Sequence, residues 1–243
     1  MTVDQAAIEV RDVWKSYRRS HEEVAAVRGL SLTVPRGEFL SIMGPSGSGK
    51  TTLLNLMAGL DMPTKGEVLI EGTPLTSLGD DALTQLRRTK VGIVFQFFNL
   101  LPSVSALDNV ALPLRAAGAS RALMSERARE ALAAVGLSDR ASHRPSELSG
   151  GEMQRVSIAR ALAIQPSIIL ADEPTGNLDS FAGGEVLRLL REYNRQRGVT
   201  IVLVTHSNVA AAYGDRIITL RDGRIEDEMV TRPPKPAPHL RPV

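Results

Sequence analysis

GPSGSGKT (44–51) stands between an apolar run, FLSIM (39–43), and a helix-forming stretch, TLLNLMA (52–58). The octapeptide fits G-x-x-x-x-G-K-[ST], a loop that cradles phosphates. Such a loop needs glycines at Gly44, Gly47 and Gly49 so that the backbone curls and its N–H groups converge on anionic oxygens. Pro45, Ser46 and Ser48 complete the turn. It opens onto a helix N-terminus at Thr51 and Thr52, whose partial positive charge adds to the anion site. Lys50 is expected to reach the β- and γ-phosphates, and the Thr51 hydroxyl to hold Mg²⁺. A strand, this loop and a helix in succession predict a nucleotide site in an α/β fold.

SIILADE (167–173) supplies the matching carboxylates. A buried parallel strand reads as a continuous apolar run, and ligands gather at the carboxyl ends of such strands. Asp172 is placed there to hold Mg²⁺ and Glu173 to act on the attacking water. The chemistry this predicts is nucleoside-triphosphate hydrolysis. LSGGEMQR (148–155) forms a second turn running into a helix, with Ser149, Gly150, Gly151 and Glu152 at its start. Alone it reads as a helix cap. Beside the first loop it reads as a second anion site, which one nucleotide in one chain does not need. A head-to-tail two-fold dimer uses both, each turn closing on the partner's nucleotide.

Outward from these motifs, apolar runs alternate with helical patterns, which predicts a largely parallel sheet. Ile8 to Ser16 and Leu30 to Val34 read as strands of an antiparallel layer, joined by a charged loop around Arg18 to Glu23. A helix from Lys50 to about Ala58 stops near Gly59. The segment 97–165 lacks strand signals and reads as an inserted helical subdomain. In it Ser125 is expected to cap a helix running to Gly136, and a second helix runs from Gly151 to Ile164. A helix near Gly184 to Arg197, the strand TIVLVT and a hairpin about Arg-Asp-Gly follow. One domain over 1–230 and a proline-rich, disordered tail at 231–243 complete this reading.

The chain has 243 residues, 29 Lys plus Arg against 27 Asp plus Glu, and no Cys. Disulfide scaffolds, cysteine nucleophiles and Cys-based metal sites are thereby excluded. A net charge of +2 gives no bulk electrostatic case for nucleic acid, so no nucleic-acid partner is expected. No apolar run approaches the ~20 residues of a membrane span, and MTVDQAAIEV does not read as a signal peptide. The expectation is a soluble cytoplasmic protein.

Together, GPSGSGKT, LSGGEMQR and ADEPTGNLD (171–179) resemble the ATP-binding cassette family, the nucleotide-binding subunits of ABC transporters. The resemblance implies a P-loop NTPase with an ABC ATPase core. It also implies ATP as ligand, Mg²⁺ as cofactor, a homodimer formed on ATP binding, and a transmembrane permease as partner. The chain would then lie on the inner face of the membrane. Further roles are implied only by this resemblance. Tyr17 matches the aromatic that stacks on adenine. Gln96 matches a glutamine touching Mg²⁺ and the attacking water, and His206 the histidine that contacts the γ-phosphate. Asn177 to Asp179 match the loop that crosses the dimer interface.

FQFFNLLPSVSALDNVALPL (95–114), LSGGEMQR and ADEPTGNLDS are similar to the MacB/LolD/FtsE-type branch, which serves lipoprotein release, macrolide export and cell division. Phe97, Phe98, Leu100, Leu101 and Pro102 form an apolar patch beside Gln96, expected either to dock the permease or to sit in the helical core. An importer ATPase for amino acids or metals is the alternative. A cassette acting on DNA or ribosomes is disfavoured by one cassette per chain and no long coiled coil. With the sequence ending soon after the last hairpin, the extra regulatory domain that some importers carry is not expected.

Overall fold

The computed structural model describes residues 6–19 and 22–231. The reading of the proline-rich tail beyond Thr231 lies outside them. In chain order the elements begin with β1 (Ala6–Arg19), β2 (Glu22–Pro35), β3 (Phe39–Met43), α1 (Lys50–Met57), β4 (Lys65–Ile70) and β5 (Thr73–Pro74). Then come α2 (Asp80–Lys90), β6 (Val91–Val94), α3 (Ala106–Ala116), α4 (Arg121–Ala134), α5 (Gly150–Leu162) and β7 (Ile168–Asp172). The chain continues through α6 (Ser180–Arg197), β8 (Thr200–Val204), α7 (Asn208–Ala211), β9 (Arg216–Arg221) and β10 (Arg224–Val230).

These strands form two sheets. A 4-stranded antiparallel sheet has the order β2-β1-β4-β5, and a 6-stranded sheet has the order β10-β9-β3-β8-β7-β6. In the second sheet β9, β3, β8, β7 and β6 run parallel and only the edge strand β10 is antiparallel. The expected α/β class, its mostly parallel sheet and its N-terminal antiparallel layer are all present.

Strand geometry explains the layering, because successive side chains point to opposite faces. Phe39, Ile169, Ala171, Ile201 and Leu203 join a core with α3 to α6. Their neighbours Leu40, Ile42, Ile168, Leu170, Val202 and Val204 join a second core with α1 and the antiparallel sheet. Burial on both faces is why β7 and β8 read as near-continuous apolar runs, and why β3 is apolar but for the buried Ser41.

Several boundaries differ from the sequence reading. The first two strands extend through the charged residues, with Arg18 opposite Glu23 in the ladder. Opposite charges across an antiparallel pair favour that continuation. Ser120, not Ser125, caps α4, its side chain accepting from the Leu123 N–H. Ser125 lies inside the helix, where its hydroxyl meets Arg129 at 3.4 Å. α6 starts at Ser180 because the Asp179 carboxylate accepts from the N–H groups of Phe181 and Ala182, both at 2.9 Å. α5 runs from Gly150 to Leu162, slightly earlier than expected.

Candidate active site

The register of β3, β8 and β7 sets the site. Ile42 pairs with Val204, and Val204 with Asp172, so three strand ends stand side by side. The loop 44–49 leaves the first end, Thr205 and His206 the second, and Glu173 the third. β6 ends next to β7, with Val94 opposite Ala171, which brings Gln96 to the same edge.

Within the loop, Gly49 has φ +100°, and a Cβ there would lie 2.2 Å from the Ala26 carbonyl oxygen. No other residue fits that approach. Lys50 is buried and donates from Nζ to the carbonyls of Gly44 at 2.9 Å and Pro45 at 2.8 Å. Its ammonium is thus held inside the curl of its own loop. Ser48 is also buried, with no hydrogen-bond partner for its hydroxyl among the described residues.

Thr51 Oγ1 lies 3.3 Å from Asp172 Oδ1. Burial pushes the Asp172 carboxyl above its ordinary value, and the adjacent Glu173 charge adds to this against the opposing Thr51 and Lys50. An opposite charge within about 4–6 Å would favour the ionised carboxylate instead. Two hard oxygens at this spacing suit Mg²⁺, which keeps several waters and takes few protein ligands. Among the described residues no cluster of three or more His, Cys, Asp or Glu could hold a metal by itself. Thr51 and Asp172 therefore fit a metal that also needs phosphate oxygens.

Glu173 has φ +43°, in the left-handed region that non-glycine residues rarely occupy. Its N–H donates to Val204 O at 2.9 Å, and its Oε2 lies 2.9 Å from His206 Nδ1. An ionised carboxylate only accepts, so Nδ1 is then the donor. Asn177 Nδ2 donates to Gln96 O at 3.0 Å, tying the Gln96 segment to the loop after Glu173.

One cleft of about 580 Å³ is lined by Ser46, Gly47, Gly49, Lys50, Thr51, Thr52, Gln96, Glu173 and His206, together with Ala26. Sequence reasoning had not singled out Ala26, which comes from β2 and carries no chemical signature. Gly44, Pro45 and Ser48 are not among the lining residues, and Asp172 meets the lining through Thr51. Tyr17 is not in the lining. It is 41% exposed, and its hydroxyl is bonded to Asp61.

Ser149 to Glu152 are not in this lining either. They cap α5 reciprocally: Ser149 Oγ accepts from the Glu152 N–H at 3.2 Å, and Glu152 Oε2 accepts from the Ser149 N–H at 2.8 Å. That N–H, with Arg140 nearby, lowers the Glu152 carboxyl below its ordinary value.

Parallel strand ends presenting a phosphate loop, a hydroxyl–carboxyl pair and a carboxylate–imidazole pair define a phosphate-loop nucleotide-binding fold. The chain belongs to the ABC transporter family, whose pattern it matches over residues 27–176. It is 50% identical over 225 residues to the uncharacterized ABC transporter ATP-binding protein MJ0796 of Methanocaldococcus jannaschii, covering 91% of this chain and 96% of that one. A solved dimeric, post-hydrolysis structure of the cassette MJ0796 bound to ADP and Pi matches with a TM-score of 0.86 at 47% identity. That match covers 93% of this chain and 99% of the other. The lipoprotein-releasing system ATP-binding protein LolD of Geobacter metallireducens is 48% identical over 218 residues, 90% of this chain and 97% of LolD. The macrolide export ATP-binding/permease protein MacB of Syntrophobacter fumaroxidans is 48% identical over 223 residues, 91% of this chain but 31% of MacB.

Proposed function

We propose that this chain is the ATP-hydrolysing subunit of a transporter whose membrane-spanning permease is a separate polypeptide. In this reading one nucleotide-binding domain takes up 1–230, with a helical subdomain at about 97–165. Lys50 and the loop N–H groups bind the β- and γ-phosphates. Thr51, Asp172 and Gln96 hold Mg²⁺, which when bound neutralises charge on those phosphates. Glu173 accepts a proton from the attacking water, and His206, hydrogen-bonded to Glu173, faces the terminal phosphate. Tyr17 stacks on the base.

The observation that carries this reading is the convergence of Lys50, Thr51, Gln96, Glu173 and His206 on one cleft. The turn 149–152 lies outside the lining of that cleft, and in this reading the N–H groups of Gly150 and Gly151, which the reciprocal cap does not use, serve the nucleotide of a second copy. ATP then sits between two chains and holds the dimer closed until hydrolysis. The names of the relatives support a permease of the lipoprotein-release or macrolide-export kind. No helix among the described residues is long and apolar enough to cross a membrane. In this reading the permease supplies the spans, and this chain sits on their cytoplasmic side.

Glu173→Gln tests the reading. It keeps the side-chain shape but removes the base, so the variant is expected to accumulate as an ATP-bound dimer in size-exclusion chromatography. A variant that binds ATP yet stays monomeric would overturn the shared site.

A further inference from the structure

Beside Thr52, one of the residues lining the cleft, Lys15, Tyr17 and Asp61 form a cluster that the phosphate chemistry does not use. Tyr17 donates its hydroxyl to Asp61 Oδ2 at 2.8 Å. Lys15 Nζ donates to Asp61 Oδ1 at 2.5 Å and to Met62 O at 2.8 Å. The same ammonium lies 5.0 Å from the centroid of the Tyr17 ring, within the range of a cation–π contact. Thr52, in the lining of the cleft, is another side-chain neighbour of the phenol.

Asp61 is itself held. The N–H groups of Leu60 and Asp61 donate to Asn55 O at 3.0 and 3.3 Å, and Asp61 Oδ1 also accepts from the Met62 N–H at 2.8 Å. Trp14 O accepts from the Thr64 N–H at 2.7 Å, and Thr64 Oγ1 from the Ser16 N–H at 3.2 Å. The strand carrying Tyr17 is thus fastened to the segment that follows α1. An aromatic ring this exposed would otherwise sample several rotamers. Here its hydroxyl is tethered and a cation stands against it.

We propose that Asp61 and Lys15 are positioning residues that fix the Tyr17 ring as a platform for the nucleotide base, Lys15 covering one face and the base taking the other. This rests on the reading of Tyr17 as the base-stacking residue. Fixing the ring beforehand removes the ordering cost at the moment of binding. It acts on ground-state affinity and leaves the reacting phosphates untouched, so KM is expected to rise while kcat is kept.

The test titrates the full chain with ATP without added magnesium, using inorganic tripolyphosphate as a ligand that has phosphates and no base. Asp61→Ala is expected to weaken ATP binding about three- to tenfold, the scale of one charge-assisted hydrogen bond partly exposed to water. Tripolyphosphate binding should stay unchanged, and the Asp61 effect should vanish in the Tyr17→Ala background. Because Asp61→Ala strands Lys15, Tyr17→Phe serves as the second variant. It keeps the ring and removes the hydroxyl that bonds Asp61 and neighbours Thr52, with an expected loss of about two- to fivefold. Equal weakening of ATP and tripolyphosphate would overturn the proposal, as would an Asp61 effect that persists without the ring. If Tyr17→Ala weakens ATP while Asp61→Ala and Tyr17→Phe bind it normally, the positioning role falls and the stacking reading stands. If Tyr17→Ala binds ATP as tightly as the unaltered chain, stacking and positioning fall together.

Discussion

Lys50 is the side chain whose loss is expected to affect turnover most. Its ammonium bonds two carbonyls of its own loop, so Lys50→Ala removes the phosphate ligand and frees the curl at once. Phosphate release should drop at least about a hundredfold, as when a preorganised transition-state donor is lost. Unchanged release would remove the nucleotide assignment. The side chains legible from sequence are those whose chemistry is bound to local spacing: Lys50 and Thr51 in the loop, Asp172 and Glu173 at the end of an apolar strand. Gln96, His206 and Tyr17 have no such local signature and entered through resemblance alone. Asp61 was missed altogether. Its partner Tyr17 lies 44 positions away, and no periodicity links a tyrosine on one strand to an aspartate beyond a helix.

Among the elements, α6 is anchored by charge. The Arg191 side chain, 9% exposed, donates to Asp215 Oδ1 at 2.5 Å and Oδ2 at 2.9 Å, and Asp215 Oδ2 accepts the Phe39 N–H at 3.0 Å. One ion pair thus joins α6 to the starts of β3 and β9. Removing Arg191 leaves Asp215, 38% exposed, without its mate, so Arg191→Ala should lose about 1–2 kcal/mol in denaturant titration, less than for a fully buried pair. Burial opposes ionisation of Asp215, but Arg191 and the Phe39 N–H outweigh it and hold the carboxyl below its ordinary value. The stabilisation is therefore complete above the ordinary aspartate range and fades as pH falls through the lowered value. Asp215→Asn should remove that acid-side slope, as read from denaturation midpoints across pH. Element boundaries were harder to read than element types. β4, β5 and α2 went unread because their signals are short: β4 buries only Val68, Leu69 and Ile70, β5 is two residues long, and the apolar face of α2 is Leu83 with Leu86 beside it. The start of α6 was hidden by Gly183 and Gly184, poor helix formers. Gly183 is nevertheless compatible with the helix, and a Cβ there would touch Thr175 at 3.4 Å.

At the scale of the whole molecule, the patch 97–102 has two layers. Phe97 is 69% and Leu101 46% exposed, whereas Leu100 packs against the core, so the reading of the patch as helical core holds for only part of it. The segment is held firmly from beneath. Arg160 donates to the carbonyls of Phe98 at 3.0 Å and Asn99 at 2.6 Å, and buried Asn109 bonds Leu101 through both its N–H and its carbonyl. Phe97→Glu and Leu101→Glu should thus leave folding and basal ATP turnover intact while abolishing co-purification with the permease. Retained co-purification would take this patch out of the interface. Legibility at this scale was high for the sheet and low for the assembly, because one chain's sequence carries only half of any contact between chains. The left-handed backbone of Glu173 has one more consequence. Glycine would adopt that conformation freely, relieving on the order of 1 kcal/mol of strain. Laboratory evolution for heat tolerance alone would therefore have little reason to keep this carboxylate, here proposed to act on the attacking water. A selection meant to harden the protein has to score turnover in the same round.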